Sequence, residues 1–133
     1  MCTDIVSEIN NNLSKNNGFP FYNEPIELND KNFDEKIKEV NIAIADFYGT
    51  WCHPCRVIEP MMYKLAKKYA GKIMIAKINV DKNPNLTFRY NIRSIPLVIV
   101  FINGKYYEQY VGARSLYFYD DLIKQLIEKY DKN

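Results

Sequence analysis

From Pro25 onward the spacing of apolar residues switches between a period of two and a helical period, and each switch marks an element. Ile26, Glu27 and Leu28 predict a short strand, after which Asn29 or Asp30 is placed to cap a helix carrying Phe33, Ile37 and Val40 on one face. Residues 42–47 are apolar apart from Asp46. In residues 72–80, Ile73, Ile75, Lys77 and Asn79 alternate with Met74, Ala76, Ile78 and Val80, so both runs predict buried strands. Between them Val57, Ile58, Met61, Met62, Leu65, Ala66 and Tyr69 recur at helical spacing, with Pro60 removing an interior hydrogen bond and predicting a kink. Residues 83–90 predict a short helix with Pro84 in its first turn. Leu97–Ile102 predicts a strand, and Asn103-Gly104 joins it to residues 106–111 as a hairpin, because both turn residues tolerate positive φ. Leu116, Tyr119, Leu122, Ile123, Leu126 and Ile127 form the stripe of a closing helix.

Strands joined through helices pair in parallel and need both faces covered, so this order predicts an α/β domain with a mixed sheet and an antiparallel hairpin at one end. Ahead of Pro25 the chain is rich in Asn, Ser and Lys, with a brief helical hint at Ile5, Ile9 and Leu13. Residues 1–24 therefore read as a flexible N-terminal extension and residues 25–133 as the folded domain. No internal repeat is visible.

Composition narrows the function. A chain of 133 residues with 47% hydrophobic and 26% charged residues can build one core. A net charge of +2 with interspersed signs offers no basic stripe for nucleic acid. Leu97–Ile102, the longest apolar run, is far short of the roughly 20 residues a membrane-spanning helix needs. Asp4, Glu8 and a run of asparagines replace the basic and apolar regions of a secretory signal, so the expected location is the cytoplasm. Three cysteines are too few for a stapled extracellular scaffold, and two of them lie three positions apart.

Those two belong to Trp51-Cys52-His53-Pro54-Cys55, between the strand ending at Phe47 and the helix carrying Val57. Cys52 is thereby placed at a helix N-terminus, where unpaired amides and the helix dipole favour thiolate over thiol. Cys55, one turn along, shares its face and can attack a mixed disulfide formed at Cys52. The alternatives are two inert buried cysteines or a zinc site. Zinc requires about four ligands, and the remaining soft donors are Cys2 and His53. Asp46, a charged residue in an apolar strand, is costly to bury unless neutral or paired, which predicts a raised pKa; the alternative is a strand-end carboxylate facing water.

Ala45-Asp46-Phe47, Trp51-Cys52, Pro54-Cys55, Pro60, Lys77-Ile78-Asn79-Val80-Asp81, Ile95-Pro96, Asn103-Gly104 and Val111-Gly112, in this order and mutual spacing, resemble the thioredoxin family across residues 25–130. The resemblance implies a central sheet of about five strands flanked by about four helices. It also implies a protein-disulfide reductase without a bound cofactor or metal, cycling through a redox-active Cys52–Cys55 disulfide. Electrons would come from thioredoxin reductase or an equivalent donor, pass to disulfide-containing target proteins, and be carried by a monomer. Pro96 is implied to follow a cis bond, with the Ile95 backbone facing the cysteines and pairing with substrate. Trp51, His53, Pro54, Ile95, Pro96 and Gly112 would border the docking surface. Asp46 would take or relay the Cys55 proton, with Lys77 close by.

The chain departs from the family pattern at His53, where glycine is usual, at Tyr48, where tryptophan is frequent, at Gly49-Thr50, and at Cys2, which has no counterpart. A protonated His53 beside Cys52 would stabilise the thiolate and make the disulfide more oxidising; a solvated His53 would contribute little. Two other functions stay open at this point: a more oxidising protein-disulfide oxidase or isomerase, and a non-catalytic binding module.

Overall fold

The computed structural model describes residues 21–130. Its elements are β1 (Ile26–Glu27), α1 (Phe33–Ile37), β2 (Ile42–Tyr48), α2 (His53–Lys68), β3 (Met74–Asn79), α3 (Pro84–Arg89), β4 (Leu97–Ile102), β5 (Lys105–Val111) and α4 (Leu116–Tyr130). They form one five-stranded sheet in the order β1-β3-β2-β4-β5. β3 runs parallel to both β1 and β2, whereas β4 is antiparallel to β2 and to β5. The expected mixed sheet, element order and hairpin are therefore present.

The alternation within each strand distributes the core between two faces. Ile42, Ile44, Ile73, Ile75, Val98 and Val100 pack with Ile58, Met62 and Leu65 of α2 and Tyr119, Ile123 and Leu126 of α4. Ala43, Ala45, Phe47, Met74, Ala76 and Ile78 pack instead with Phe33 and Ile37 of α1 and Leu86 of α3. On that second face Phe33, Tyr90 and Phe101 meet edge to face with centroids 5.4 to 6.0 Å apart, a geometry that complements the ring quadrupoles. Full burial of Phe33 and of Phe101 contributes about 1.5–3 kcal/mol each. Asp46 and Lys77 continue the Ile42–Ile44 and Ile73–Ile75 alternations, so both belong to the α2 and α4 face.

Local chemistry adjusts several expected boundaries. β3 begins at Met74 rather than at position 72, because Gly71 at φ +80° and the Lys72 N–H to Tyr69 carbonyl bond close the end of α2 first. α1 ends at Ile37, leaving Val40 buried in the connection rather than on the helix. Pro60 lies inside α2 without ending it. Asn103 and Gly104 adopt φ of 53° and 81°, as a two-residue hairpin turn requires. Val100 pairs with Glu108 but Phe101 with Tyr106, so Tyr107 is the extra residue of a β-bulge that the alternation does not announce. The helical hint at Ile5, Ile9 and Leu13, and Cys2 with it, lies outside the described residues. No helix among the described residues is long and apolar enough to cross a membrane.

Candidate active site

β2 delivers the chain to the site. After Tyr48 a tight loop, closed by the Cys52 N–H to the Gly49 carbonyl, leads into α2. Cys52 is the N-cap, in an extended conformation, with Pro54 in the first turn, where the missing amide costs no helix bond. The Cys52 Sγ accepts the Cys55 backbone N–H at 3.2 Å. This is the contact an oxygen cap normally makes, here given to sulfur. A disulfide joins Cys52 to Cys55, with Cα atoms 5.3 Å apart. Arg56 fastens the loop from the helix side through its guanidinium and the Thr50 carbonyl at 2.7 Å.

Both cysteines are buried, while Trp51, His53 and Pro54 around them are exposed. Trp51 leaves 65% of its surface in water, yet its indole is held, because Nε1 donates to Asp81 Oδ2 at 2.7 Å. Gly49 lies against that ring. A Cβ there would stand 2.9 Å from Trp51 Cε2 and 3.0 Å from Ile95 Cδ1, so a side chain at this position must displace one of them. Gly49→Ala is expected to shift the fluorescence of Trp51, the chain's single tryptophan, and to slow the reaction of the neighbouring Cys52–Cys55 disulfide with added thiol several-fold. Because both neighbours are partly in water, the stability loss should stay within about 1 kcal/mol by thermal melting.

Trp51 and Ile95 share the wall of a surface hollow of about 430 Å³ that continues along Ile92, Arg93 and Ser94. The Ile95–Pro96 bond is cis, as the resemblance implies. Pro96 is buried, and its carbonyl accepts the Gly112 N–H at 2.8 Å. Gly112 sits at φ +89°, a conformation that favours glycine. Trp51 and Ile95 thus share one hollow and Pro96 is tied to Gly112 by a hydrogen bond, whereas His53 is an exposed residue at the start of α2.

A second cavity, of about 330 Å³, has walls that include Asp46, Cys55, Arg56, Glu59 and Lys77. Asp46 is 2% exposed, and its Oδ1 has no hydrogen-bond partner among the described residues. Burial raises its carboxyl to about 7, against a smaller downward pull from Lys77 and smaller upward contributions from Glu59 and Glu27. The expected burial and raised pKa are both present. Lys77 stands across from Asp46 in the parallel register, but its Nζ bonds Glu59 Oε2 at 2.8 Å instead.

Sequence reasoning did not single out Glu59, Asp81 or Arg56. A signal existed for Glu59, since Cys52, Cys55 and Glu59 fall at i, i+3 and i+7 on one helical face. Asp81 had no comparable local cue, because its partner Trp51 lies 30 residues away. Among the described residues no group of three or more His, Cys, Asp or Glu side chains is arranged to hold a metal ion.

The family model described as Thioredoxin matches residues 24–128. A thioredoxin from Chlorobaculum thiosulfatiphilum is 46% identical over 88 residues, covering 65% of this chain and 82% of that protein. A thioredoxin from Buchnera aphidicola subsp. Schizaphis graminum is 35% identical over 107 residues, covering 80% of this chain and 99% of its own. Among solved structures, a single-substitution mutant of a thioredoxin from Halobacterium salinarum superposes with a TM-score of 0.71 at 32% identity, covering 84% of this chain and 94% of that one. Sheet order, the capped cysteine pair and these relatives agree: the chain belongs to the thioredoxin family and is a thiol–disulfide oxidoreductase.

Proposed function

We propose that this protein is a general protein-disulfide reductase with Cys52 as nucleophile and Cys55 as resolving thiol. The observation that carries this reading is the backbone N–H of Cys55 on the Cys52 sulfur at the N-cap of a 16-residue helix. A negative sulfur there gains a charge-assisted hydrogen bond and the favourable end of the dipole, so Cys52 is the thiol that ionises first. In the reduced protein the Cys52 thiolate attacks one sulfur of a target disulfide, forming a mixed disulfide and releasing the first target thiolate. Cys55 then loses its proton to Asp46 and attacks the Cys52 sulfur. The Cys52–Cys55 disulfide forms, the second target thiolate leaves, and the target has gained two electrons.

Asp46 suits the proton step because a carboxyl titrating at about 7 can change state near neutral pH. Lys77, with Glu59, lies on the wall of the same cavity. The hollow beside Trp51 and Ile95 suits an extended target segment, with Trp51 and Pro54 as apolar contacts and the Ile95 backbone as a pairing edge. His53, exposed beside Cys52, exerts a small and salt-screened influence on that thiolate. The protein works in the cytoplasm as a monomer without a bound cofactor, reloaded by thioredoxin reductase or an equivalent donor. Residues 25–133 form the catalytic domain and residues 1–24 an extension.

Equilibrating the protein in defined thiol–disulfide buffers, with Trp51 fluorescence and thiol alkylation as readouts, tests the direction of electron flow. The expected reduction potential lies below the cytosolic glutathione poise of about −220 to −260 mV. A value well above that range would identify a disulfide donor, and the oxidase or isomerase function would replace the reductase.

A further inference from the structure

Lys77 is the cation across the sheet from the buried Asp46, yet it is bonded elsewhere. Its Nζ lies 2.8 Å from Glu59 Oε2, with the rings of Tyr48 and Tyr63 flanking it at 4.9 and 5.9 Å. The ammonium is thus fixed on several sides at the wall of the cavity that Asp46 and Cys55 share. Glu59 follows Cys55 by one helical turn on α2, so the ion pair ties the helix of the resolving cysteine to β3.

We propose that Glu59 is a positioning residue of the dithiol cycle, holding the Lys77 ammonium off Asp46 so that the Asp46 carboxylate can take up the proton Cys55 releases. This deepens the function proposed above and rests on the reading of Asp46 as that proton's acceptor. A lysine free to bond Asp46 would hold it as a stabilised carboxylate, which is a poor base. With Glu59 in place, the negative charge beside the ammonium offsets its attraction for Asp46, and desolvation is left dominant.

The groups facing Asp46 agree with this balance. Burial raises its carboxyl to about 7, Lys77 on β3 pulls it down, and Glu59 on α2 and Glu27 on β1 push it up. From α4 the buried Tyr119 hydroxyl faces the acid; burial and the charge of Asp46 raise that hydroxyl to about 12, so it stays protonated near neutral pH. β4 places only the apolar Val98 across from Asp46. Tyr48 on β2 spends its hydroxyl on Glu27, and Arg56 on α2 spends its guanidinium on Thr50. Burial depresses the Lys77 ammonium, but the hydrogen bond and charge of Glu59 outweigh it, leaving Lys77 above the ordinary lysine range and charged. The Glu59 side chain is 44% exposed, so Glu59→Gln leaves the core intact.

The experiment has two readouts, Asp46 followed by carboxyl NMR in the reduced protein and stopped-flow reaction with dithiobis-nitrobenzoate. In the second, the first thionitrobenzoate released reports attack by Cys52 and the next reports resolution by Cys55. Glu59→Gln is expected to lower the Asp46 midpoint by about one pH unit, a tenfold loss of proton affinity. The pH midpoint of the second phase should fall by the same amount while the first phase keeps its profile. In a Lys77→Met background the effect of Glu59→Gln should shrink to less than about half, since the carboxylate acts through the lysine. An Asp46 midpoint unchanged by Glu59→Gln overturns the role of Glu59 and leaves the reading of Asp46 standing. A lowered midpoint with an unmoved second phase removes Asp46 from the proton step, and the proposal falls with it. An undiminished effect in Lys77→Met overturns the route through the lysine.

Discussion

Asp46→Asn is expected to make the protein more stable at pH 8 by about 2–4 kcal/mol while slowing resolution by Cys55. The carboxyl titrates near 3.8 when unfolded and at about 7 when folded. Between those values the native state keeps a proton that the unfolded chain has released, so stability falls as pH rises from about 4 to about 7. Above that window the full cost of a buried carboxylate remains, amounting to about 4 kcal/mol for a displacement of this size. Asparagine has a similar shape and no charge to bury. Its stability curve should be flat across the window and meet that of the native protein near pH 4. Urea melts of both proteins from pH 4 to pH 8 give the comparison, and a difference independent of pH would show that Asp46 is not neutralised by burial. A gain in stability joined to a loss of activity is the signature of a group retained for its chemistry.

Cys55→Ser should convert the protein into a trap. The serine hydroxyl is too weak an acid to supply an alkoxide near neutral pH, so a mixed disulfide formed at Cys52 has no internal nucleophile to release it. Turnover is lost, and the variant retains target proteins through Cys52 in a bond that added thiol cleaves. Non-reducing electrophoresis followed by mass spectrometry should show a target-to-Cys52 linkage, and Cys52→Ser should form none. A Cys55→Ser variant with unchanged turnover would remove the two-cysteine cycle. A variant that holds partners without a covalent bond would mark a docking module instead.

Much of this architecture was legible because it depends on local rules. The switch of period between residues 42–47 and Val57 placed the cysteines between a strand and a helix, and Asn103-Gly104 specified a tight hairpin through its tolerance of positive φ. Asp46 was conspicuous as the one charge in the apolar run 42–47. The pairing of Lys77 was not legible. Register brings Lys77 opposite Asp46, but the choice between that acid and Glu59 depends on how closely α2 lies over the sheet, which no spacing within either element encodes. The Asp81 bond to Trp51 escaped for the same reason. The extra residue at Tyr107 lies in a strand whose polar and aromatic side chains are largely exposed, where alternation carries little burial information.

That bulge has a consequence for how copies of the molecule meet. The outer strands of the sheet are β1 and β5, and an open outer strand invites further strands to add to it. β1 offers only two residues, too few to template a neighbour. β5 is longer, but the offset at Tyr107 interrupts its outward row of amides, and Lys105 and Glu108 place charge along it. Among the described residues one border is blunted by brevity and the other by a break in its repeat, so neither presents an unbroken template for edge-to-edge growth.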